Sequence, residues 1–136
     1  SVGCGTSSKQ ADSGNKDFDK LNIISVEKEK EDRDSYDEEV ITKFKVTNNG
    51  EKPIKYMDVD FAYYDKDGNC ISTDSRYHDV VIQPGKSAFI ETYSDVKGNK
   101  DAVANVKAVK YGYKLPDTGD KETYINLETK EVEEVE

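Results

Sequence analysis

The sequence predicts an all-β protein, an antiparallel β-sandwich of about seven to eight strands. From Leu21 onward, apolar and β-branched residues alternate with polar ones in short runs. Glycine, proline and asparagine turn signals separate these runs, and no stretch has a convincing helical period. A series of short strands joined by tight turns is typical of a sandwich.

The strand-like runs follow one another along the chain. The first three are LNIISVEKE, EEVITKFKVTNN and IKYMDVDFAYYD, and the later ones are CIST, VVI, SAFIETY, VANVKAVKYGYKL and TYINLE. Asn-Gly at 49–50 and Asp-Gly at 67–68 each predict a hairpin, and Pro-Gly at 84–85 predicts a turn. Residues 29–39 are dominated by charge, so we expect a long acidic loop between the first two strands.

The distribution of apolar residues divides the chain into three parts. Residues 1–17 contain no large apolar side chain beyond Val2 and form the predicted anchor and disordered tether. Residues 18–129 form the sandwich domain, and residues 130–136 form an acidic C-terminal tail. The inward-facing positions predict a core that includes Phe44, Val46, Val59, Phe61, Ile82 and Val106.

Charge limits the classes of partner. The chain has 20 basic and 29 acidic residues and a net charge of −9, which repels phosphate backbones and anionic lipid headgroups. We therefore expect no nucleic-acid partner. No apolar run approaches the roughly 18 residues that span a bilayer.

Few side chains suit catalysis or metal binding. His78 is the only histidine, so a two-histidine metal site is excluded. Cys70 and His78 lie close enough in sequence to meet across a hairpin, but no nucleophile elbow or oxyanion loop accompanies them. We expect no enzyme activity, no cofactor and no metal site. The acidic residues of 29–39 leave a cation clasp as an open alternative.

Two further motifs have simple structural interpretations. The stretch DKDGN alternates Asp65, Asp67 and Asn69 like a calcium loop, but its glycine is at the fourth position, so it predicts a hairpin turn. Cys4 and Cys70 are the only cysteines. A disulfide between them would tie a flexible end to a strand, so a buried or half-buried free thiol at Cys70 is the expectation.

The third strand carries the candidate binding face. Tyr56, Asp58, Asp60 and Tyr64 share one face of this strand, while Met57, Val59, Phe61 and Tyr63 share the other. The second set is core. Aromatic rings stack on sugars or peptides and carboxylates accept hydrogen bonds, so the first set forms a candidate recognition surface. The alternative is a solvated outer face that is charged to prevent edge association.

The stretch FAYYD at residues 61–65 resembles the Phe-x-Leu-Tyr-Asp signature of FxLYD domains, with Tyr63 at the leucine position. The similarity extends over KVTNNGEKPIKYMDVDFAYYDKDGN and VVIQPGKSAFIE, roughly residues 40–92. The resemblance implies an immunoglobulin-like sandwich on an exported bacterial protein. It implies no catalytic residues.

Such modules commonly follow a lipoprotein signal, and the stretch VGC is similar to the end of a lipobox, with Ser1 where leucine is usual. The resemblance implies that Cys4 carries a lipid and that the protein lies on the extracellular face of a Gram-positive-type cell membrane. We expect a non-catalytic binding or accessory module whose partner is an extracellular protein or glycan. The alternative is a structural spacer or assembly component of an envelope complex.

Overall fold

The computed structural model describes residues 15–34, 39–95 and 102–136. In this part of the chain, one short helix precedes eight strands. The helix is α1 Asn15–Leu21, and the strands are β1 Ile24–Asp34, β2 Glu39–Asn48, β3 Tyr56–Tyr64, β4 Cys70–His78, β5 Ser87–Asp95, β6 Asn105–Lys114, β7 Glu122–Asn126 and β8 Val132–Val135. No helix in these ranges has the length and apolar character needed to cross a membrane.

The strands form two antiparallel sheets, which confirms the predicted fold class. One sheet has three strands in the order β1-β2-β5, and the other has five in the order β4-β3-β6-β7-β8. In this arrangement β4 extends the sheet of β3, whereas constant-type immunoglobulin domains place the fourth strand beside the fifth. As a result, β3 lies inside the larger sheet, between β4 and β6.

The core lies between the two sheets. All six predicted core residues are buried, and Val46, Val59 and Phe61 have no exposed surface. The Phe44 ring on β2 lies 4.6 Å from the Phe61 ring on β3, so this pair joins the two sheets at the centre. Burial alternates strictly along β2, as the sequence pattern predicted for a strand with one buried face.

The predicted hairpin at 67–68 connects β3 and β4. Gly68 has a φ of 84°, a conformation that glycine adopts without strain. The Asp65 carboxylate accepts hydrogen bonds from the backbone N–H groups of Asp67 and Asn69, each at 2.9 Å. These hydrogen bonds lower the pKa of Asp65, and the bond from the Asn69 N–H has the largest effect. The alternating acidic residues here therefore stabilise a turn.

The hairpin predicted at 49–50 is wrong. The strands on either side, β2 and β3, belong to different sheets, so this turn crosses from one layer to the other. The buried Asn48 side chain shapes the crossing by donating to the carbonyls of Lys52 and Ile82. Turn residues identify where the chain bends, whereas this buried amide fixes the direction that it takes afterwards.

The predicted acidic loop at 29–39 is also wrong over most of its length. β1 continues to Asp34 and β2 begins at Glu39, and from Lys30 to Asp34 the two strands pair residue by residue. Residues 35–38 lie outside the described residues. Charges of both signs alternate here, and Glu31 forms ion pairs with Lys28 and Arg33 at 3.7 and 2.7 Å. Pairing with β2 and local charge neutralisation allow this polar run to form an edge strand.

Both predicted tails contribute secondary structure. α1 includes residues 15–17 of the predicted tether, and its Phe18 and Leu21 pack against the core. The first strand consequently begins at Ile24 rather than Leu21. At the other end, β8 lies within the predicted tail 130–136, where Val132 pairs with Ile125 of β7 and packs against the core.

Candidate functional site

All four residues of the predicted binding face lie on β3. Tyr56, Asp58, Asp60 and Tyr64 occupy the outer face of the five-stranded sheet, because their strand neighbours Met57, Val59, Phe61 and Tyr63 are buried in the core. The outer face is not uniformly solvated. Asp60 is only 7% exposed, so a carboxylate is largely removed from water near the middle of this sheet.

A small cavity of about 210 Å³ opens on this face beside the two aspartates. It draws side chains from β3, β4, β6, β7 and β8. The lining residues are Asp58, Asp60, Ser75, Lys110, Tyr111, Gly112, Tyr124 and Glu133. The cavity therefore combines carboxylate and hydroxyl oxygens with an ammonium group and an aromatic ring.

The two aspartates differ in their hydrogen bonding. The Ser75 hydroxyl donates to Asp60 Oδ1 at 2.6 Å. Asp58 Oδ1 is buried without a hydrogen-bond partner among the described residues. Burial, followed by the nearby Asp60 carboxylate, raises the pKa of Asp58. A desolvated carboxylate oxygen without a donor is destabilising, which makes this oxygen an acceptor available to a ligand.

Gly112 brings an aromatic ring to the aspartates. It pairs with Asp58 on one side and with Tyr124 on the other. A Cβ atom at Gly112 would lie 2.6 Å from Cε1 of Tyr124, so only glycine leaves room for the ring to extend across β6. The Tyr124 hydroxyl donates to Glu122 at 2.9 Å, and burial raises the pKa of Tyr124 to about 12.

Lys110 supplies the positive charge of the site. Its ammonium lies 5.2 Å from the centre of the Tyr124 ring, within the range of a cation–π contact. The same residue pairs with Asp60 across β3 and β6 and lines the cavity. Lys110 can therefore donate to a ligand that also contacts the aspartates.

The two tyrosines of the predicted face do not line the cavity. Tyr56 and Tyr64 occupy the two ends of β3, and the eight steps from one residue to the other span about 26 Å of strand. The Tyr56 ring lies 4.9 Å from that of Tyr77, which is 62% exposed. The Tyr64 hydroxyl lies near Glu128, at 3.5 Å. Tyr56 and Tyr64 are therefore two separate contact points at opposite ends of the face.

The sequence prediction missed the other six lining residues, among them Tyr124, Lys110 and Gly112. One signal was present, because Gly112 interrupts the strand-like run VKYGYK, and a glycine inside a strand often marks a close approach of another group. The identity of that group depends on which strand pairs with β6. The alternation of polar and apolar residues does not contain that information.

The structure corrects one expectation about Cys70. This residue forms a disulfide and is not the free thiol that was expected. It begins β4, whereas His78 ends the same strand about 26 Å away, so the two do not form a catalytic pair. The chain's other cysteine, Cys4, lies outside the described residues. Cys70 is half-buried at the start of the edge strand β4.

The described residues contain no group of three or more His, Cys, Asp or Glu side chains that could hold a metal ion. In the acidic stretch 29–39, Glu31 is already engaged in ion pairs with Lys28 and Arg33. Residues 35–38 of this stretch lie outside the described residues. The candidate site is thus the cavity on the outer face, with Tyr56 and Tyr64 at its two sides.

Fold and site together define an eight-stranded antiparallel sandwich with a polar cavity on one outer face. Among solved structures, IrmA from Escherichia coli is similar at 14% identity, with a TM-score of 0.53, over 79% of this chain and 87% of that one. A structural-genomics target matches at 14% identity and a TM-score of 0.37, over 84% of this chain and 81% of its own. A β-glucosidase from Kluyveromyces marxianus matches at 12% identity and a TM-score of 0.39.

These similarities have different weights. This chain covers only 14% of the β-glucosidase, and neither that match nor the structural-genomics target carries an argument about it. The likeness to IrmA supports the sandwich fold alone, because a shared fold does not imply a shared function. No family model matches the sequence, and no curated protein matches it either.

Proposed function

We propose that this protein is a non-catalytic binding module of an exported bacterial protein, and that it binds a glycan on the outer face of its five-stranded sheet. One observation carries the proposal. The cavity beside β3 presents the buried, unpartnered Oδ1 atom of Asp58 next to the Tyr124 ring. A bound hydroxyl group would supply the missing donor.

The mixture of groups in the cavity favours a sugar. Each sugar hydroxyl both donates and accepts hydrogen bonds, and the cavity offers acceptors on Asp58 and Asp60 and a donor on Lys110. The Tyr124 ring offers a surface on which a sugar ring can stack. At about 210 Å³, the cavity is smaller than the roughly 300 Å³ at which pockets for drug-sized ligands begin. It therefore suits one sugar ring of a longer chain, with Tyr56 and Tyr64 contacting further units.

Glycan binding is expected to depend on Tyr124. Tyr124→Ala should weaken binding by about 1 to 2 kcal/mol, since it removes a covered aromatic ring from the centre of the contact. Tyr56→Ala and Tyr64→Ala are expected to have equal or smaller effects. The measurement is a glycan array followed by calorimetry on the best ligand. Tyr93→Ala is the matched control, because Tyr93 is 44% exposed on the opposite sheet.

Salt distinguishes the possible partners in the same assay. Stacking on a neutral glycan should be nearly indifferent to salt, whereas binding of a basic protein to a chain of net charge −9 should weaken as salt rises. Full binding by the Tyr124→Ala variant would contradict the proposed site. The absence of any ligand from glycan arrays and envelope extracts would favour the structural spacer.

The exported location is supported by chemistry as well as by the FxLYD resemblance. Disulfides such as that at Cys70 persist in oxidising compartments outside the cytosol. The lipid anchor is proposed on Cys4, from the lipobox-like VGC. Cys4 and Cys70 are the only cysteines of the chain, so a disulfide within one chain and a lipid on Cys4 exclude each other, because a sulfur that carries a lipid cannot also join a disulfide.

Membrane attachment in the native host is expected to depend on Cys4 alone. Two acyl chains hold a small domain on a membrane, since each buried methylene contributes about 0.8 kcal/mol. The Cys4→Ser variant should therefore move to the soluble fraction, whereas Cys70→Ser should remain with the membrane. Fractionation and peptide mass spectrometry make the measurement. Soluble wild-type protein with Cys4 disulfide-linked to Cys70 would contradict the anchor and leave the exported location intact.

A further inference from the structure

The two sheets end in four edge strands, which are β1 and β5 in the smaller sheet and β4 and β8 in the larger one. An edge strand exposes backbone N–H and C=O groups that can pair with another chain, and proteins commonly protect such edges. Three of the four edges described here carry a recognised form of protection.

The protection differs from edge to edge. Every residue of β1 from 27 to 34 is charged, and a bulge interrupts its pairing with β2. β8 has four residues, two of which are Glu. β4 turns Asp74 and Arg76 inward, opposite the core residues Phe61 and Val59. Short length, a bulge, surface charge and inward charge each discourage pairing with a further strand.

β5 lacks these features. It has nine residues and pairs with β2 without any register shift. Between positions 87 and 94 its only charged residue is Glu91. Its outer face exposes Phe89 and Tyr93 by 48% and 44%. Beside this strand lies a groove of about 350 Å³, which is bounded on its far side by residues 76–78 of β4. The edge is thus long and regular. Toward its end, the Tyr93 carbonyl accepts from the Tyr63 hydroxyl at 3.4 Å, and the Arg76 guanidinium lies 5.6 Å from the centre of the Tyr93 ring.

We propose that β5 pairs with β5 of a second copy of this chain, antiparallel and centred on Glu91. The exposed face of the strand is self-complementary about that residue. In this register, Phe89 of each copy lies opposite Tyr93 of the second copy, which gives two cross-strand aromatic pairs. A two-fold axis through Glu91 produces a closed dimer with one continuous six-stranded sheet.

This register has an electrostatic cost at the axis, which nearby lysines partly offset. The two Glu91 carboxylates would meet there, and like charges directly opposite each other are unfavourable. Lys43 lies opposite Glu91 on β2, and its ammonium is 4.5 Å from the Phe89 ring. Two lysines would therefore lie near the two carboxylates and reduce their repulsion, and each carboxylate also accepts from the Tyr93 hydroxyl of its own chain at 2.9 Å. The interface is one strand wide, so we expect a weak dimer. Salt should strengthen it by screening the repulsion between chains of net charge −9.

Analytical ultracentrifugation of the full chain over a wide range of protein concentration tests the proposal. The expected result is a reversible monomer–dimer equilibrium that moves toward the dimer as salt rises. Phe89→Lys and Tyr93→Lys should each lower the association constant about tenfold or more. Val81→Lys is the matched control, because Val81 is 56% exposed outside β5. The Val81→Lys variant should have the same association constant as the wild type.

A charge exchange tests the register itself. The Glu91→Lys chain should dimerise less well than the wild type, yet a mixture of the two chains should form a heterodimer in preference to either homodimer. A general loss of stability cannot produce this result. A chain that stays monomeric at all concentrations would overturn the proposal. Binding of an unrelated extended peptide at β5 would not rescue it, because the proposed occupant of this edge is a second copy of the chain. A dimer that resists both β5 substitutions would overturn it as well.

Discussion

The Phe61→Ala variant is expected to lose about 3 to 5 kcal/mol of its free energy of unfolding. Phe61 has no exposed surface and lies at the centre of the core, where its ring contacts that of Phe44 at 4.6 Å. The truncation removes apolar contacts and leaves a cavity between two sheets that are held by their own hydrogen bonds and cannot close the gap. Domains of this size are commonly stable by only about 5 to 15 kcal/mol, so this loss is a large fraction of the total free energy of unfolding.

Urea unfolding, followed by circular dichroism with the disulfide intact, measures this effect. The midpoint should fall while the slope stays constant, because the surface exposed on unfolding changes little. Phe89→Ala is the control. It removes the same ring from a side chain that is 48% exposed, and we expect a change of about 0.5 kcal/mol or less. A loss below about 1 kcal/mol for Phe61→Ala would contradict the central position of this ring.

Asn48→Ala is expected to destabilise the domain by about 1 to 3 kcal/mol, a large effect for the loss of a polar side chain. Asn48 is fully buried at the end of β2. Its amide donates to the carbonyls of Lys52 and Ile82 at 2.8 and 2.9 Å, and its oxygen accepts from the Gly50 N–H at 2.9 Å. Alanine leaves all three backbone groups without this partner, and the Ile82 carbonyl is buried.

Two further variants separate hydrogen bonding from side-chain volume. Asn48→Asp keeps the oxygen that faces Gly50 but loses both donors and buries a carboxylate, so it should be at least as destabilising as alanine. Asn49→Ala, at the exposed neighbouring position, should change stability by about 0.5 kcal/mol or less. A wild-type unfolding midpoint for Asn48→Asp would show that the amide does not hold the crossing between the sheets.

The strand pattern and most of the core could be predicted from the sequence, because alternation reports directly which face of a strand avoids water. Phe61 and Val59 are buried as the alternation along β3 predicted. The turn at 67–68 was equally predictable, since Asp65 and Gly68 stabilise it through contacts within five residues. These features depend on local chemistry that is complete in a short stretch of chain.

Predictions failed where the deciding contact comes from a distant part of the chain. The charged run after Ile24 forms a strand because β2 pairs with it, and the crossing after Asn48 depends on Ile82, 34 residues away. The disulfide at Cys70 likewise depends on whether the folded chain brings a second cysteine to it, which the sequence around Cys70 does not determine. None of these partners is encoded in the periodicity of the segment itself.

The candidate site shows both contributions. The sequence by itself determined that Asp58 and Asp60 share the outer face of β3, because side chains two apart on a strand point the same way. Only the tertiary structure decided that Tyr124 lies beside them. The order β3-β6-β7 places Gly112 between Asp58 and Tyr124, and the missing side chain at Gly112 admits the ring. Alternation fixes the face of each residue, whereas neighbours across a sheet are fixed by which strands pair.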